Sequence, residues 1–433
     1  MKGKVFKNGL IFLLATLMSV SVSCCGKKAA PTSTSSTTEK ATLTVMSWWD
    51  PTKPALQQLK GAFEASNPGI KLNMINTGSG YYSKVLTILA SGSNIPDVMM
   101  LAADKLPMFA SKGTLLPLDK YLTSEYKSNT YPMVQNACKF SGKTYAVARD
   151  VTSSVMYFNK KMFSDAGVEI PSEKWTIDDF LNIAKKMTKT DSSGKATQWG
   201  FYFTKYDDTI FDWLLLNGGD YADADGSKSQ MSSAGTKAGL QFLQDLIYKY
   251  KVTPTDSQAK QFGDDDTSTV IAGKVAMIVG GLSTSVAFNT ATPALSYAIR
   301  PLPLSTSGKQ VCHSFVNTWT IPKGAKNPAL SWKVIEYFSG QKGQQIALDN
   351  GMGLASNKNV DTGTFLSQNA DNKYLIQSLT YATPYRTLVY GADFYSLVDK
   401  QLEPVWLNTT TVDKAVAAIE AKAPDILAGK SQQ

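Results

Sequence analysis

A single histidine, His313, and two cysteines beyond the N-terminal region, Cys138 and Cys312, bound the chemistry open to this chain. A Ser-His-Asp relay or a zinc hydrolase would have to run on His313 alone. The sequence contains no H-E-x-x-H, no G-x-S-x-G and no phosphate-binding G-x-x-x-x-G-K-[ST]. Cys138 and Cys312 have neither metal-binding spacing nor the density of a disulfide framework. They read either as one bridge in an oxidising compartment or as two separate buried thiols. The segment Asp220-Tyr221-Ala222-Asp223-Ala224-Asp225-Gly226 approaches a calcium loop, but no glutamate stands at loop position twelve. It reads as a polar hairpin turn, so neither a metal nor a cofactor is expected. Hydrolysis by paired carboxylates, as in glycosidases, stays open on these grounds. Aromatic residues are 10% of the chain, and many stand beside turn residues rather than inside apolar runs. That placement favours binding over catalysis.

The N-terminus is of the secretion type. Lys2, Lys4 and Lys7 precede an apolar run from Leu10 to Val22, which stops at Ser23-Cys24-Cys25-Gly26. The run is short for a permanent membrane span and has the charged flank and apolar centre of a signal. Small residues before cysteine point to lipidation, with an ordinary cleavage site as the plainer alternative. Cys24 follows Ser23 and is the expected lipidated residue; Cys25 is the alternative. Residues 1–24 are thus read as a lipoprotein signal. Residues 25–40, rich in Ser and Thr without apolar periodicity, are read as a flexible tether. The rest of the chain is expected on the extracellular face of the cell membrane, lipid-anchored in the Gram-positive manner. Net charge is +9 and falls to about +6 without the signal lysines. The positives are scattered, with no run longer than a pair such as Lys185-Lys186, which argues against nucleic-acid binding.

From Ala41 onward, strands and helices alternate. Thr42–Met46 alternates as a strand and runs into Ser47-Trp48-Trp49-Asp50-Pro51. A helix with Leu56, Leu59 and Phe63 on one face ends at Asn67-Pro68-Gly69; Ile70–Met74, a helix from Tyr82 and the apolar strand Val98–Leu101 follow. This order predicts a parallel sheet with helices on both faces. Lys143–Ala148 and Val155–Phe158 read as strands separated by the polar stretch Arg149–Ser153. Later strands are expected at Val275–Val279, Tyr297–Pro301 and Ser314–Ile321, with helices at Thr176–Met187, Ile210–Leu216, Ser233–Tyr250, Pro328–Ser339, Tyr390–Trp406 and Val412–Leu427.

Several short signatures in fixed order carry a family resemblance. They include Phe63-Glu64-Ala65-Ser66-Asn67-Pro68-Gly69-Ile70, Pro96-Asp97-Val98, Gly142-Lys143-Thr144-Tyr145-Ala146, Tyr157-Phe158-Asn159-Lys160-Lys161-Met162-Phe163, Gly273-Lys274-Val275-Ala276-Met277 and Ile321-Pro322-Lys323-Gly324-Ala325. From Ala41 to Leu427 the chain resembles the extracellular solute-binding proteins of bacterial ABC importers, family one, the maltose-binding-protein-like group. The resemblance implies an α/β, two-lobed periplasmic-binding-protein-like fold of type II. Each lobe would be a mostly parallel sheet flanked by helices, joined to the other by hinge strands. It places lobe one at 41–150 plus 314–357 and lobe two at 151–313 plus 358–433, with crossings near Arg149–Thr152 and His313–Thr318. It further implies a monomer that is not an enzyme, takes a carbohydrate in the interlobe cleft, closes on its hinge and docks on ABC permease subunits.

A sugar offers C–H faces to aromatic planes and a rim of hydroxyls to planar polar groups. Trp48, Trp49 and Asp50, after the first strand, are the leading ligand-binding candidates. With the resemblance, Asp104, Arg149, Asp150, Tyr206, Asp208, Trp213, Asn317, Trp319, Phe394 and Tyr395 join them. Core packing is the competing reading for Trp213, Phe394, Tyr395 and one of the Trp48-Trp49 pair, a helix cap for Asp104, and a hinge ion pair for Arg149 and Asp150. Many relatives carry a tryptophan after the Gly-x pair that follows Ala276-Met277. This chain has Gly280-Gly281-Leu282-Ser283-Thr284 instead, so a stacking platform is expected to be missing there. A phosphorylated ligand would require Arg149, Arg300 and Arg386 to converge; a polyamine would require more carboxylates and fewer aromatics in the cleft.

Overall fold

A computed structural model of the chain describes residues 40–263 and 265–430, without the side chains of Asp207 and Asp208. The signal, the tether up to residue 39, the two candidate lipidation sites and the Asp208 side chain therefore lie outside the described residues. The rest is a two-lobed α/β fold built on two main sheets.

The first sheet grows from the strand–helix–strand alternation. Ala41–Ser47 pairs in parallel with Ile70–Asn76 on one side and Val98–Ala102 on the other. The helix between the first two strands, Pro54–Ser66, buries Leu56, Leu59 and Phe63. Val98–Ala102 is buried along its whole length, as an apolar run covered on both faces must be. Beyond it lies Cys312–Thr320, antiparallel to Val98–Ala102 and to Ala146–Ser153. The core of this lobe packs Phe63, Val98, Trp319, Val334 and Phe338 together.

The second sheet runs Tyr297–Arg300, Val155–Asn159, Val275–Gly280, Ala196–Tyr202, Lys189–Thr190. It is mixed: Val275–Gly280 is parallel to Ala196–Tyr202, while the other three pairings are antiparallel. The mostly parallel character expected for both lobes thus stops short of this sheet. Val155–Asn159 is the reason: it runs antiparallel to both its neighbours, Val275–Gly280 and Tyr297–Arg300. The helix at Ile177–Met187 starts as expected, with Thr176 and Asp179 forming a reciprocal capping box. Aromatic rings fill the core beneath it, including Trp175, Phe180, Phe201 and Trp213.

The polar stretch Arg149–Ser153, expected to separate two strands, is itself strand. Ala146–Ser153 runs unbroken and almost entirely buried. Its polar residues were misleading because a crossing strand is flanked by both lobes rather than by water and a core. Val412–Leu427, expected as one helix, breaks at Ala421-Lys422 into Val412–Glu420 and Ala423–Leu427. The second carries Pro424 in its first turn, the one place in a helix where a missing N–H is harmless.

Cys138 and Cys312 are both free and buried, in different side-chain clusters, which settles the sequence alternatives in favour of two thiols. Burial pushes the Cys138 thiol up to about 12 and Cys312 well above its ordinary value. In protein beginning at Lys40, neither thiol should react with DTNB at neutral pH until urea unfolds the chain. Two equivalents should then appear; none on unfolding would reinstate a bridge.

Candidate ligand-binding cleft

The parallel strands of the first sheet end at a row of loops, and the tryptophan pair stands in the first of them. Trp48 is half-buried, edge-on to Tyr81 with ring centroids 5.3 Å apart and tilted against Tyr82 at 6.0 Å. Tyr81 is pinned from beneath, its hydroxyl donating to the carbonyls of Met46 and Met100. Trp49 is also half-buried, and the Arg149 guanidinium lies 3.3 Å from its ring centroid. Asp50 is exposed; its Oδ1 accepts from the backbone N and the hydroxyl of Thr52 at 2.9 and 2.7 Å. The Thr52 hydroxyl, then its backbone N–H, hold the Asp50 carboxyl below the usual carboxylate range, so it is an acceptor at neutral pH. These three residues line a cavity of about 650 Å³. Its remaining wall includes Asn350, Gly351 and Met352, with Val286 reaching in from the helix Leu282–Thr290.

Behind Trp49 the crossing strand supplies a buried charge pair. Arg149 and Asp150, 5% and 2% exposed, form an ion pair. Asn317 on the opposite crossing strand donates to Asp150 Oδ1 at 2.9 Å. Nε and Nη1 of Arg149 are buried without a hydrogen-bond partner among the described residues. Burial pulls the Arg149 guanidinium down to about 10 and raises the Asp150 carboxyl, the mutual attraction only partly opposing both. Gly353 is what lets the pair sit so close to the chain: a Cβ there would lie 2.5 Å from that of Asp150.

The other candidates divide. Asp104, in the short 3₁₀ helix Ala103–Lys105 directly after Val98–Ala102, pairs with Lys105 at 2.7 Å, and its buried Oδ1 has no hydrogen-bond partner among the described residues. Tyr206 is 68% exposed at the start of the helix Asp207–Leu216, a free aromatic face on lobe two. Trp213, in contrast, is fully buried against Phe180, Phe201 and Phe242, and Trp319 against Phe338. Phe394 is fully buried, and Tyr395 packs on Tyr385 and Tyr221 while donating to the Arg386 carbonyl. These four rings are core, the competing sequence reading for Trp213, Phe394 and Tyr395 and one not weighed for Trp319. Lys53, Val286, Asn350, Gly351 and Met352 line the main cavity and were not anticipated. Only Gly351-Met352-Gly353 carried a signal, as a pair of glycines beside a helix end.

His313 does find a serine and an aspartate, but not in a catalytic arrangement. Ser154 Oγ and Asp212 Oδ2 both approach Nδ1, at 2.8 and 3.0 Å, and the His313 backbone N donates to Asp212 Oδ1 at 2.7 Å. A nucleophile relay needs serine on one ring nitrogen and the carboxylate on the other. With both on Nδ1 the cluster acts as a buried knot, tying the second crossing strand to the helix Asp207–Leu216. The three arginines that a phosphorylated ligand would gather are each committed to a separate carboxylate: Arg149 to Asp150, Arg300 to Asp371, Arg386 to Asp220. The Asp220–Gly226 segment is a hairpin turn, Asp223 Oδ1 accepting from the backbones of Ser227 and Lys228.

Comparison with known proteins agrees with this fold. Residues 49–345 match the family described as bacterial extracellular solute-binding protein. A putative binding protein of Brucella abortus is 23% identical over 389 residues, 89% of this chain and 92% of that protein. A maltooligosaccharide ABC transporter solute-binding lipoprotein of Streptococcus pneumoniae is 26% identical over 366 residues, 81% of this chain and 80% of the relative. The structure of an ABC substrate-binding protein of Listeria monocytogenes in complex with cycloalternan superposes with a TM-score of 0.79 at 23% identity. It covers 90% of this chain and 100% of the other.

Proposed function

Because the chain belongs to the bacterial extracellular solute-binding protein family, we propose that it captures an oligosaccharide in the interlobe cleft and delivers it to an ABC permease by hinge closure. The observation that carries the reading is the Trp48-Trp49-Asp50 loop on its 650 Å³ cavity, with Arg149 stacked behind Trp49. Two half-buried indoles offer C–H-complementary faces, and an ionised carboxylate beside them accepts from hydroxyls. A cavity of that size is in the range that encloses a small ligand. Tyr206 would meet the ligand from lobe two on closure, with Asp104 and Asn317 as polar neighbours on lobe one. The maltooligosaccharide of the pneumococcal relative and the cycloalternan of the Listeria one are both oligosaccharides and point the same way. A phosphorylated polyol is the weaker reading, since its cationic partners are already paired apart.

The same reading takes lobe one as 41–150 plus 314–357 and lobe two as 151–313 plus 358–433. The protein would act as a monomer held at the extracellular face of the cell membrane through a lipid on Cys24, with Cys25 as the alternative. Titrating it with gluco- and manno-oligosaccharides, polyamines and phosphorylated polyols while following tryptophan fluorescence tests the assignment. Saturable change with one sugar family, the sugar being recovered intact, is the expected result. A response confined to polyamines or phosphates would keep the fold and overturn the carbohydrate reading; consumption of the sugar would overturn the transport reading.

A further inference from the structure

We infer that Tyr82 is a positioning residue for the cleft: one side chain sets the spacing between the tryptophan platform and the turn that carries Asp104. The inference rests on the carbohydrate reading and adds what holds that site in shape. The need for such a residue comes from the sheet. Ala41–Ser47 meets Val98–Ala102 at Val45–Val98 and Met46–Met99, and the second strand then continues through Met100, Leu101 and Ala102. Two loops leave from these ends, one with Trp48, Trp49 and Asp50, the other with Asp104. Backbone polar groups buried where strands part must be taken up by side chains.

The helix Tyr81–Ser91 supplies them. Gly80, at φ +73°, turns the chain into that helix, whose first two residues are both tyrosine. The Tyr81 hydroxyl donates to the carbonyls of Met46 and Met100 at 3.1 and 2.8 Å, one from each strand. The Tyr82 hydroxyl accepts from the Ala102 N–H at 3.2 Å. Its ring packs on Trp48, with centroids 6.0 Å apart, and on Phe109 at 6.4 Å. Ala102 leads at once into the 3₁₀ helix Ala103–Lys105 and so into Asp104. One tyrosine thus touches the platform with its ring and the base of the Asp104 turn with its hydroxyl. Burial raises the Tyr82 phenol above its ordinary value, the Ala102 N–H opposes this, and the Asp104 charge raises it further. The carboxylate is therefore within electrostatic reach of the phenol.

Trp49 is fixed to the same point by a separate route. Ala102 stands opposite Asn317 on the antiparallel crossing strand. Asn317 donates to Asp150, Asp150 pairs with Arg149, and Arg149 stacks on Trp49. The two indoles are thus tied to one cross-strand pair, Trp48 through Tyr82 and Trp49 through the ion pair. Without the Tyr82 hydroxyl the Ala102 N–H loses this acceptor, and the turn presenting Asp104 can drift from the platform. Drift of that kind weakens binding even when every ligand-touching group is still present.

The test is a double-mutant cycle read by calorimetry, with maltotriose and mannotriose as probes. Tyr82→Phe keeps the ring on Trp48 and removes only the acceptor; it should weaken affinity about tenfold, roughly one hydrogen bond's worth. In an Asp104→Asn background the same change should cost about twofold or less, because the group being positioned has already been altered. Hydrogen exchange needs no sugar. In Tyr82→Phe the amides from Ala102 to Lys105 should exchange faster, while those from Val98 to Met100 stay protected. Equal losses of affinity with and without the Asp104 carboxylate, or unchanged exchange from Ala102 to Lys105, overturn the positioning role and leave the carbohydrate reading standing. A native protein that binds neither probe counts against that reading instead, and the exchange result then decides alone whether Tyr82 holds the turn.

Discussion

Trp49→Ala weakens binding of the captured sugar by about 30- to 150-fold and costs the fold only about 1 kcal/mol. One indole face covered by a ligand removes on the order of 100 Å² of apolar surface from water, about 2–3 kcal/mol at the usual coefficient. Each 1.4 kcal/mol is about tenfold in affinity. The free protein loses less, because Trp49 is only half-buried and Arg149 keeps its ion pair when the ring goes. Trp213→Ala should behave in the opposite way. That ring is 0% exposed among Phe180, Phe201 and Phe242, and its loss costs about 3–5 kcal/mol of stability with little direct effect on affinity. Calorimetric titration and urea unfolding of both variants separate the two roles. Should Trp49→Ala keep its affinity, the tryptophan loop is not the sugar platform.

That contrast also marks how far the sequence could be read. Apolar runs bounded by Pro and Gly located the parallel strands of the first sheet and several helices, because burial and turn chemistry are local properties. They did not locate the strand Ala196–Tyr202 or the helices Leu282–Thr290 and Gln341–Asp349. Thr176 with Asp179 announced a helix start, and a helix starts there. The cleft was harder. Trp48, Trp49, Trp213 and Trp319 look alike as letters, and only tertiary packing separates the first two from the last two. Their neighbours held a hint: Trp213 precedes three leucines, whereas Trp49 precedes Asp50 and Pro51. Val286 and Asn350 carried none, since an apolar residue in a helix and an asparagine after one are each ordinary until another element arrives opposite. Arg149-Asp150 was legible as an ion pair but not as strand, because its burial is set by tertiary packing and not by its own polar letters.

Arg149→Met should be the most destabilising substitution near the cleft, and its cost should grow with pH. At pH 7 the variant leaves the Asp150 carboxylate, 2% exposed, without its counter-charge, a loss of about 3–5 kcal/mol. Burial already raises the Asp150 carboxyl with Arg149 present, and removing the cation raises it further. A carboxyl raised by folding favours the native state while protonated, below its unfolded value of about 3.9. That advantage is lost as pH rises through the higher folded value, so the deficit of Arg149→Met should be small in acid and full at neutral pH. Adding Asp150→Asn should restore most of the loss, because the amide oxygen can still accept from Asn317 and no charge remains buried. Urea unfolding between pH 4 and 8 reads all three proteins; a deficit equal at every pH, or one that Asp150→Asn fails to rescue, would refute the account. If the double variant matches or exceeds native stability yet binds sugar poorly, the pair is not there to hold the hinge together. Both members are disfavoured by burial, and two of the Arg149 guanidinium nitrogens are buried without a hydrogen-bond partner among the described residues, so the pair is costly to the fold where it stands beneath Trp49.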